Sequence, residues 1–422
     1  MNRYNNNSTS VWMVLAFILL LNEVTYTCAA NTCVVDKSIT SSECQTNPLI
    51  CTSISLCLKQ LIKQGQLNNT VLVTPDQYNQ LDCPGSVPVP LGSLTITSTS
   101  PSDNPIFDCN NSTFIVINVT PTGNQQSTII LDSITITSGT NEQDGGCIQL
   151  NNDNMPSSNI LDITVSNCNV SFCKSYGNGG FMASFGYNVT IVNTTVTNCT
   201  SAQSAGVLLS ITPTMLINSV FEKNHAHNAG GVFSGMTQMS AINCTFDSNS
   251  AFVYGGAAIG LSMQFNQCTF MSNSADFAGG ALYMPDGSYG VVSNSSFMDN
   301  QINAGDGGGA IFSNNSRLHL YNNIFSGNYV AEDGDGGAIY VMGEGGYQNG
   351  NFDFSTNQFL DNMANGNGGA IYFRPHVSIN ILNLTGALFI DNQAGQYGGG
   401  IYFNSYPKQV NQGLFEYCSS KE

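Results

Sequence analysis

The sequence is poor in charged side chains, which make up 9 % of its 422 residues. Only ten residues are Lys or Arg, against 27 Asp and Glu, so the formal net charge is -17. A phosphate backbone is bound through clustered basic side chains, and this balance therefore excludes a nucleic-acid partner. The chain has a single Trp, but 41 % of it is hydrophobic and it repeats regularly, which argues against disorder.

Long apolar runs are also scarce. The main one covers residues 11–21 (VWMVLAFILLL) and would span about 16 Å as a helix, roughly half of a bilayer core. We therefore predict a signal peptide over residues 1–30 that ends in Cys28-Ala29-Ala30, with an uncleaved signal anchor as the alternative. Thirteen of the 14 cysteines and twelve Asn-x-Ser/Thr sequons follow residue 30. These features predict a secreted, disulfide-bonded glycoprotein, extracellular or associated with the cell surface, with no stable transmembrane span after cleavage.

What the sequence has in abundance is one repeated phrase. Each copy holds a Phe, an Asn three residues later, a Gly-Gly pair and a short apolar strand. Seven successive copies of this length predict a solenoid of stacked coils. The repeat residues assigned to this scaffold are Phe221, Asn224, Gly230, Gly231, Phe246, Asn249, Gly255, Gly256, Phe270, Asn273, Gly279, Gly280, Phe297, Asn300, Phe325, Asn328, Phe359, Asn362, Phe389 and Asn392.

The spacing within the repeat is most constant around one corner of the coil. The distance from Phe to Asn never changes, whereas the segment that leads to the next Phe varies in length. Asn and Gly both accept left-handed backbone torsions, so we expect a tight corner in which the Asn hydrogen-bonds to its stacked neighbour. With three short strands per coil, the pattern predicts an all-β, parallel β-helix of about 12 coils.

The ends of the chain differ from the repeats. Residues 31–69 form a predicted Cys-rich N-terminal cap, in which an apolar stripe over 49–64 indicates an amphipathic capping α-helix. The solenoid is predicted over 70–404 and a tail over 405–422. We expect the early cysteines to form disulfides, with fifteen connectivities open for the six of them: Cys33, Cys44, Cys51, Cys57, Cys83 and Cys109.

Two further cysteines, Cys244 and Cys268, occupy the same repeat position one coil apart. A stacking distance of about 4.8 Å lies within the range that a disulfide needs. The pair therefore fits either a disulfide or two stacked free thiols. An odd number of cysteines remains after cleavage, and Cys418 is our candidate for the unpaired one.

The repeats resemble those of the chlamydial-type polymorphic outer membrane proteins. The phrase Phe-x-x-Asn is accompanied by GGAIF at 308–312, GGAIY at 336–340 and 368–372, and GGALY at 279–283. The resemblance is specific over about 220–404, loose over 70–219 and absent from the Cys-rich start. It implies a right-handed β-helix of the pectin-lyase-like superfamily at a cell surface, often with an adhesive role.

Parallel β-helices also include polysaccharide lyases and hydrolases, so an enzyme is the competing hypothesis. A lyase needs a basic residue, and Arg317 and Arg374 are the only arginines after residue 30. They lie at unmatched repeat positions. An Asp-Asp pair and a Gly-His-Gly motif, which pectin-type hydrolases use, are both missing from the sequence. We predict no catalytic residues, and keep a lyase or glycoside hydrolase acting on a lateral groove as the alternative.

Metal and cofactor sites are not predicted. His225 and His227 share one face of a strand, but turn histidines are more often solvated than bound to metal. Acidic residues precede several Gly-Gly pairs, at Asp144, Asp306, Glu332, Asp333 and Asp335. They lack the glycine-rich calcium-binding repeat, so solvated carboxylates are the simpler interpretation.

The strand after the Gly-Gly pair carries the binding hypothesis. Isoleucine recurs at one parity, and aromatic residues recur at the other: Tyr283, Phe312, Tyr340, Tyr372 and Tyr402. If the isoleucines face the core, the rings form a ladder along the outside, which would suit sugar rings or a partner protein. The alternative is that both parities are buried. We therefore expect a non-catalytic adhesion, glycan-binding or structural protein whose partners are glycans or cell-surface proteins.

Overall fold

The structure is a computed structural model that describes residues 32–38, 45–46, 49–63, 68–88, 92–100, 102–118, 127–151, 161–343, 350–374, 379–404, 407–411 and 413–420. In these residues the chain winds through a parallel β-helix of about 12 coils, as the repeat predicts. The predicted signal peptide over 1–30 and Cys44 lie outside the described residues.

Each coil contributes strands to three long sheets, which form the walls of the β-helix. The first sheet has 26 strands: Thr32–Val35, Gln45–Thr46, Leu49–Cys51, Asn68–Val73, Gly85–Pro88, Ser93–Ser98, Ile115–Asn118, Ser127–Asp132, Ile148–Asn151, Leu161–Ser166, Met182–Ser184, Tyr187–Val192, Leu208–Ser210, Thr214–Ile217, Phe233–Ile242, Ala258–Asn266, Leu282–Met284, Tyr289–Ser293, Ile311–Asn314, Arg317–Tyr321, Ile339–Met342, Gly350–Asp353, Ile371–Phe373, Ile379–Asn383, Ile401–Phe403 and Gln409–Asn411.

The other two sheets are narrower, because each coil adds one short strand to each of them. The second sheet has 13 strands: Gln77–Tyr78, Ile106–Asp108, Thr135–Thr137, Asn169–Ser171, Thr195–Thr197, Val220–Glu222, Thr245–Asp247, Thr269–Met271, Ser296–Met298, Ile324–Ser326, Gln358–Leu360, Leu388–Ile390 and Leu414–Glu416. The third has 11 strands: Thr140–Asn141, Lys174–Ser175, Thr200–Ser201, His225–Ala226, Ser250–Ala251, Ser274–Ala275, Gln301–Ile302, Tyr329–Val330, Met363–Ala364, Gln393–Ala394 and Ser419–Ser420. Strands on both sides of the predicted 70–404 solenoid join these sheets.

The described residues contain one α-helix, Ile54–Lys63, and one short 3-10 helix, Gln80–Asp82. The α-helix packs its buried face, which includes Ile54, Cys57 and Leu61, against the first strands of the β-helix. It therefore caps the first coil, as the apolar stripe predicts. No helix in the described parts of the chain is both long enough and apolar enough to span a membrane.

Disulfides tie the early coils together. Cys33 is bonded to Cys57 in the capping helix, and Cys83 is bonded to Cys109. A third bond joins Cys147 to Cys173, and Cys51 is also disulfide-bonded. The expectation of a single unpaired cysteine is wrong, since four others besides Cys418 are free: Cys168, Cys199, Cys244 and Cys268.

The repeat phenylalanines form one continuous stack inside the β-helix. Equivalent residues pair in register on the second sheet, for example Phe221 with Phe246 and Phe246 with Phe270. Their rings lie nearly parallel, with the centroids of Phe246 and Phe270 4.7 Å apart. The stack continues to Phe415 at the last strand of that sheet. The fixed Phe position therefore supplies the apolar core, where stacked rings pack with little void.

The repeat asparagines form a second internal stack, and all seven are fully buried. The Asn273 side-chain oxygen accepts hydrogen bonds from the backbone N–H and the side-chain amide of Asn249, each at 3.1 Å. Its own amide donates to the Phe246 carbonyl and to Asn300 Oδ1, each at 2.9 Å. Every amide therefore satisfies polar groups in the coils before and after it, which a buried polar group requires.

The backbone explanation for the repeat Asn needs correction. The residue with a positive φ is the one before it, as at Ser248 (φ 54°) and Ser272 (φ 54°), and none of the seven repeat asparagines has a positive φ. The Asn is therefore required for its buried amide and not for a left-handed torsion.

The two glycines of each pair have different roles. Gly255 has a φ of +63°, which side chains rarely adopt. A Cβ on Gly256 would lie 2.1 Å from the carbonyl oxygen of Gly280 in the next coil. The first glycine thus makes the turn, and the second allows successive coils to approach each other.

We expect Asn273→Ala to destabilise the β-helix strongly. The substitution removes the acceptor of the Asn249 backbone N–H and the donor to the Phe246 carbonyl in a dry interior. Each such group costs about 1–3 kcal/mol when it is left unsatisfied, so the total loss should be about 3 kcal/mol or more. Urea unfolding followed by far-UV circular dichroism measures the effect.

The matched control is Asn303→Ala, which removes an exposed amide that donates to Asp276 at 2.8 Å. Its effect should stay within about 0.5 kcal/mol. Equal urea midpoints for the two variants would contradict a structural role for the buried amide stack.

Candidate functional site

The strand after each Gly-Gly pair presents isoleucine to the core and an aromatic ring to the outside. Ile311, Ile339 and Ile371 are fully buried in the main core. The alternating rings form a separate apolar cluster on the other side of the first sheet. The alternation of the strand explains this division, because successive side chains point to opposite faces.

The rings stack on one another from coil to coil along the outer face. The Phe312 and Tyr340 centroids are 4.7 Å apart and their planes meet at 13°. Tyr283 stacks on Phe312 at 5.3 Å, and Tyr372 stacks on Tyr402 at 5.7 Å. The three middle rings, Phe312, Tyr340 and Tyr372, retain at most 6 % exposure. The ladder thus faces away from the core, but its neighbours and the flanking turns cover its middle.

A further ring begins the ladder and is not predicted by strand parity. Tyr254 stacks on Tyr283 at 4.5 Å, although it comes directly before a Gly-Gly pair and belongs to the turn. The turn residues Tyr254, Ala278, Gly307 and Asp335 pair with one another from coil to coil. The pairing of these turns shows that the side chain of Tyr254 lies beside the ladder residue of the next coil. The sequence alone does not show this.

The turns and the ladder enclose a groove of about 610 Å³. Aromatic rings line it, including Tyr254, Tyr283 and Phe312. Four acidic side chains line it as well: Asp306, Glu332, Asp333 and Asp335. The first three are exposed, and Asp335 is half-buried. The structure thus brings the predicted rings together with carboxylates that the sequence indicates only as solvated turn residues.

Asp335 is the most constrained of these carboxylates. It accepts hydrogen bonds from the Asn367 backbone N–H at 2.6 Å and from the Asn367 side-chain amide at 3.0 Å. The nearby Tyr372 hydroxyl, like Asn367, favours the ionised form of Asp335. Burial is the main cause that raises the pKa of Asp335, and the nearby Asp306 carboxylate adds to the increase.

Three tyrosines of the ladder are shifted by burial. It raises the pKa of Tyr283, Tyr340 and Tyr372 above the ordinary phenol value, so these three hydroxyls stay protonated and can donate hydrogen bonds. For Tyr340 the Arg374 guanidinium opposes this increase. Arg374 is exposed, and its Nη1 lies 2.8 Å from the sulfur of Met342, which lines the groove.

Two exposed rings add to the aromatic surface: Phe277, which lines the groove, and Phe252 beside it. Phe252 and Phe277 are 49 % and 46 % exposed, and their centroids lie 6.5 Å apart. His227 stacks on Phe252 at 5.5 Å, whereas His225 hydrogen-bonds to Ser250 at 2.9 Å. The two histidines are therefore engaged by different neighbours.

Cys244 and Cys268 are stacked free thiols in the structure. Each sulfur lies near a backbone carbonyl two residues before it, at 3.4 Å for Cys244 and 3.5 Å for Cys268. The hydrogen bond with Cys244, together with burial, raises the pKa of Cys268, so its thiol stays protonated.

One group of potential metal ligands is present among the described residues. Cys33, Cys51 and Cys57 have their sulfur atoms within 4.8 Å of one another. All three are disulfide-bonded. Their sulfurs are therefore not available as the thiolates that a metal ion needs.

Two copies of the repeat match a known family model. A family model described as the Chlamydia polymorphic membrane protein repeat matches residues 324–342 and 358–374. The matched segments coincide with the copies that begin at Phe325 and Phe359. Each match covers the buried Phe and Asn of one coil and the Gly-Gly pair at its turn. No curated protein matches the chain significantly.

Several solved structures are similar over most of the chain. The A-module of the Azotobacter vinelandii mannuronan C-5 epimerase AlgE6 is 10 % identical, with 86 % of this chain and 94 % of that chain covered and a TM-score of 0.37. A PL6 alginate lyase in complex with a trisaccharide is 11 % identical, with 90 % and 89 % covered and a TM-score of 0.43. The tailspike gp49 of the Acinetobacter baumannii bacteriophage Fri1, a capsular polysaccharide depolymerase, is 12 % identical, with 85 % and 63 % covered and a TM-score of 0.30. These values are too low to transfer a site or an activity.

We expect Asp335→Asn to stabilise the protein at neutral pH. Because the carboxyl pKa is raised above its ordinary value of 3.8, the folded state holds this proton more tightly than the unfolded state. The ionised carboxylate therefore opposes folding, and stability falls as pH rises through the folded pKa. The advantage of the Asn variant should shrink as pH is lowered through that same value. Urea midpoints measured from neutral to acidic pH, with Asp361→Asn as an exposed control, test this. An advantage independent of pH would contradict it.

Proposed function

We propose that this protein is a secreted or cell-surface β-helix protein that binds glycan chains along the aromatic groove without cleaving them. The observation that carries the proposal is the row of six stacked rings, from Tyr254 to Tyr402, on the outer face of the first sheet. A ligand can reach this row at exposed Tyr254 and half-buried Tyr283, because the three middle rings are covered. Accessible aromatic rings of this kind can pack on sugar rings. The polymorphic membrane protein repeat, typical of surface proteins, supports the location.

The chemistry of the groove fits a sugar ligand. A sugar ring has an apolar face that packs on an aromatic ring and a rim of hydroxyls that need hydrogen-bond partners. Half-buried Tyr283 and exposed Tyr254 supply the first contact. The carboxylates of Asp306, Glu332 and Asp333 supply acceptors in the same groove. Clefts that combine apolar walls with a few polar groups are the usual form of ligand sites.

A catalytic function is the second candidate, and one observation favours it. Asp335 has a raised pKa, lies within electrostatic reach of Asp306 and lines a groove, which is the environment of a general acid. Arg374 stands near the same rings. A hydrolase needs two carboxyl groups on opposite sides of the bond that it cleaves. The four acidic residues of the groove all come from two successive turns, which favours binding.

We expect a glycan-array screen of the secreted protein to give hits that weaken when a ring is removed from the groove. Tyr254→Ala and Tyr283→Ala should each lower the affinity about tenfold, since a ring contact is worth about 1 kcal/mol beyond the area that it buries. Tyr321→Ala is the control, because Tyr321 is similarly exposed, at 43 %, but does not line the groove. Equal losses for all three variants, or no glycan bound at all, would overturn the proposal.

The same preparations should release no new chain ends from the bound polysaccharides over prolonged incubation. Turnover that disappears in Asp335→Asn, with folding retained, would replace the binding function by an enzyme. This outcome is distinguishable from a loss of binding, because the array measures binding separately.

A further inference from the structure

We infer that the glycan held in this groove carries protonated amino groups, as a polymer of glucosamine does, and not the carboxylates of a uronate polymer. This inference rests on the proposed function and specifies the class of its ligand. It derives from the placement of charge around the rings.

The lining of the groove is acidic. Asp306, Glu332 and Asp333 are exposed, and Asp335 is half-buried near Tyr372. Arg374 is the positive charge that acts on Tyr340 of the ladder. Three exposed carboxylates therefore face a ligand against one guanidinium. A polyanion would be repelled by these carboxylates, and the net charge of -17 would add to the repulsion at long range.

A protonated amine is the group that both kinds of side chain in the groove can bind. Its charge pairs with a carboxylate, and its N–H groups are attracted to the face of an aromatic ring. A neutral sugar would contact the rings but leave the negative charge of the exposed carboxylates unmatched. The combination of accessible rings and carboxylates therefore selects an amino sugar over its uncharged analogues.

The chain itself provides an example of this recognition. The Lys37 ammonium lies 4.9 Å from the centre of the Tyr78 ring and 3.0 Å from the Asp82 carboxylate. One amine is thus held between a tyrosine face and an aspartate. The lining of the groove combines the same two chemical groups, with its carboxyl groups on two successive turns.

The test compares two hexasaccharides that share a backbone and differ only in charge. Calorimetry with the full secreted chain would measure binding of the glucosamine hexamer and of the N-acetylglucosamine hexamer. Mildly acidic pH keeps the amines of the hexamer protonated, while free carboxyl groups, whose ordinary pKa is about 4, stay ionised. We expect the glucosamine hexamer to bind at least about tenfold more tightly, and the preference to decrease as salt is added. A galacturonate hexamer should not bind.

Two double variants locate the charge effect. Asp306→Asn with Asp333→Asn removes two exposed carboxylates from the groove and should reduce the preference for the amino sugar several-fold. Asp361→Asn with Asp391→Asn removes the same charge from two exposed turns that do not line the groove, and should leave the preference unchanged. All four positions are exposed, so both variants should fold as the native chain does.

Each result bears on one of the two proposals. Equal binding of the two hexamers, or preferential binding of the galacturonate hexamer, would overturn the amino-sugar inference while leaving a glycan-binding groove in place. If no hexamer binds, and the array has no other hit, the proposed function itself is wrong. An equal loss of preference in both double variants would show that total charge, and not the groove, selects the ligand, which would also overturn the inference.

Discussion

The buried amide stack is the interaction on which the rest of the structure depends. Each Asn side chain satisfies polar groups of the coil before and the coil after it, so no coil can change its register without leaving amides unpaired. Each repeat Phe lies three residues before its Asn, so the register of the amide stack also determines how the Phe rings stack. The outer ladder inherits the same register, because it lies on the strand that follows the Gly-Gly pair. A polar constraint inside the β-helix therefore positions the rings outside it.

The sequence predicts the fold well because each feature of the repeat corresponds to one local requirement. The constant distance between Phe221 and Asn224 marks the residues that stack inside. The Gly pairs mark the closest approach between coils. The segment from each Gly pair to the next Phe varies in length, which marks the part of the coil that tolerates insertions. Even so, the backbone-torsion preference of Asn does not reveal why the repeat requires this residue. Asn commonly adopts left-handed torsions, but here the preceding residue does so.

The candidate groove is only partly predictable, because it depends on how deep each ring lies. Strand parity correctly places Tyr340 on the outer face, but it cannot show that neighbouring rings and turns cover that residue. Tyr254 is missed because it belongs to a turn and reaches the ladder of the next coil. The closeness of Asp335 to Tyr372 likewise depends on the stacking of turns. Such contacts join residues about one coil apart in sequence, where local patterns carry no information.

The second glycine of each pair has a consequence for how this protein can evolve. Because a Cβ on Gly256 would meet the next coil at 2.1 Å, the coil spacing there is set by the backbone and cannot be widened by a side chain. The row of rings can therefore be lengthened only by the addition of a whole coil. An in-frame duplication or deletion of one repeat would add or remove a single rung and leave the geometry of the others intact. The number of rings in the row would then be countable in the gene, and could change by recombination without any new side chain.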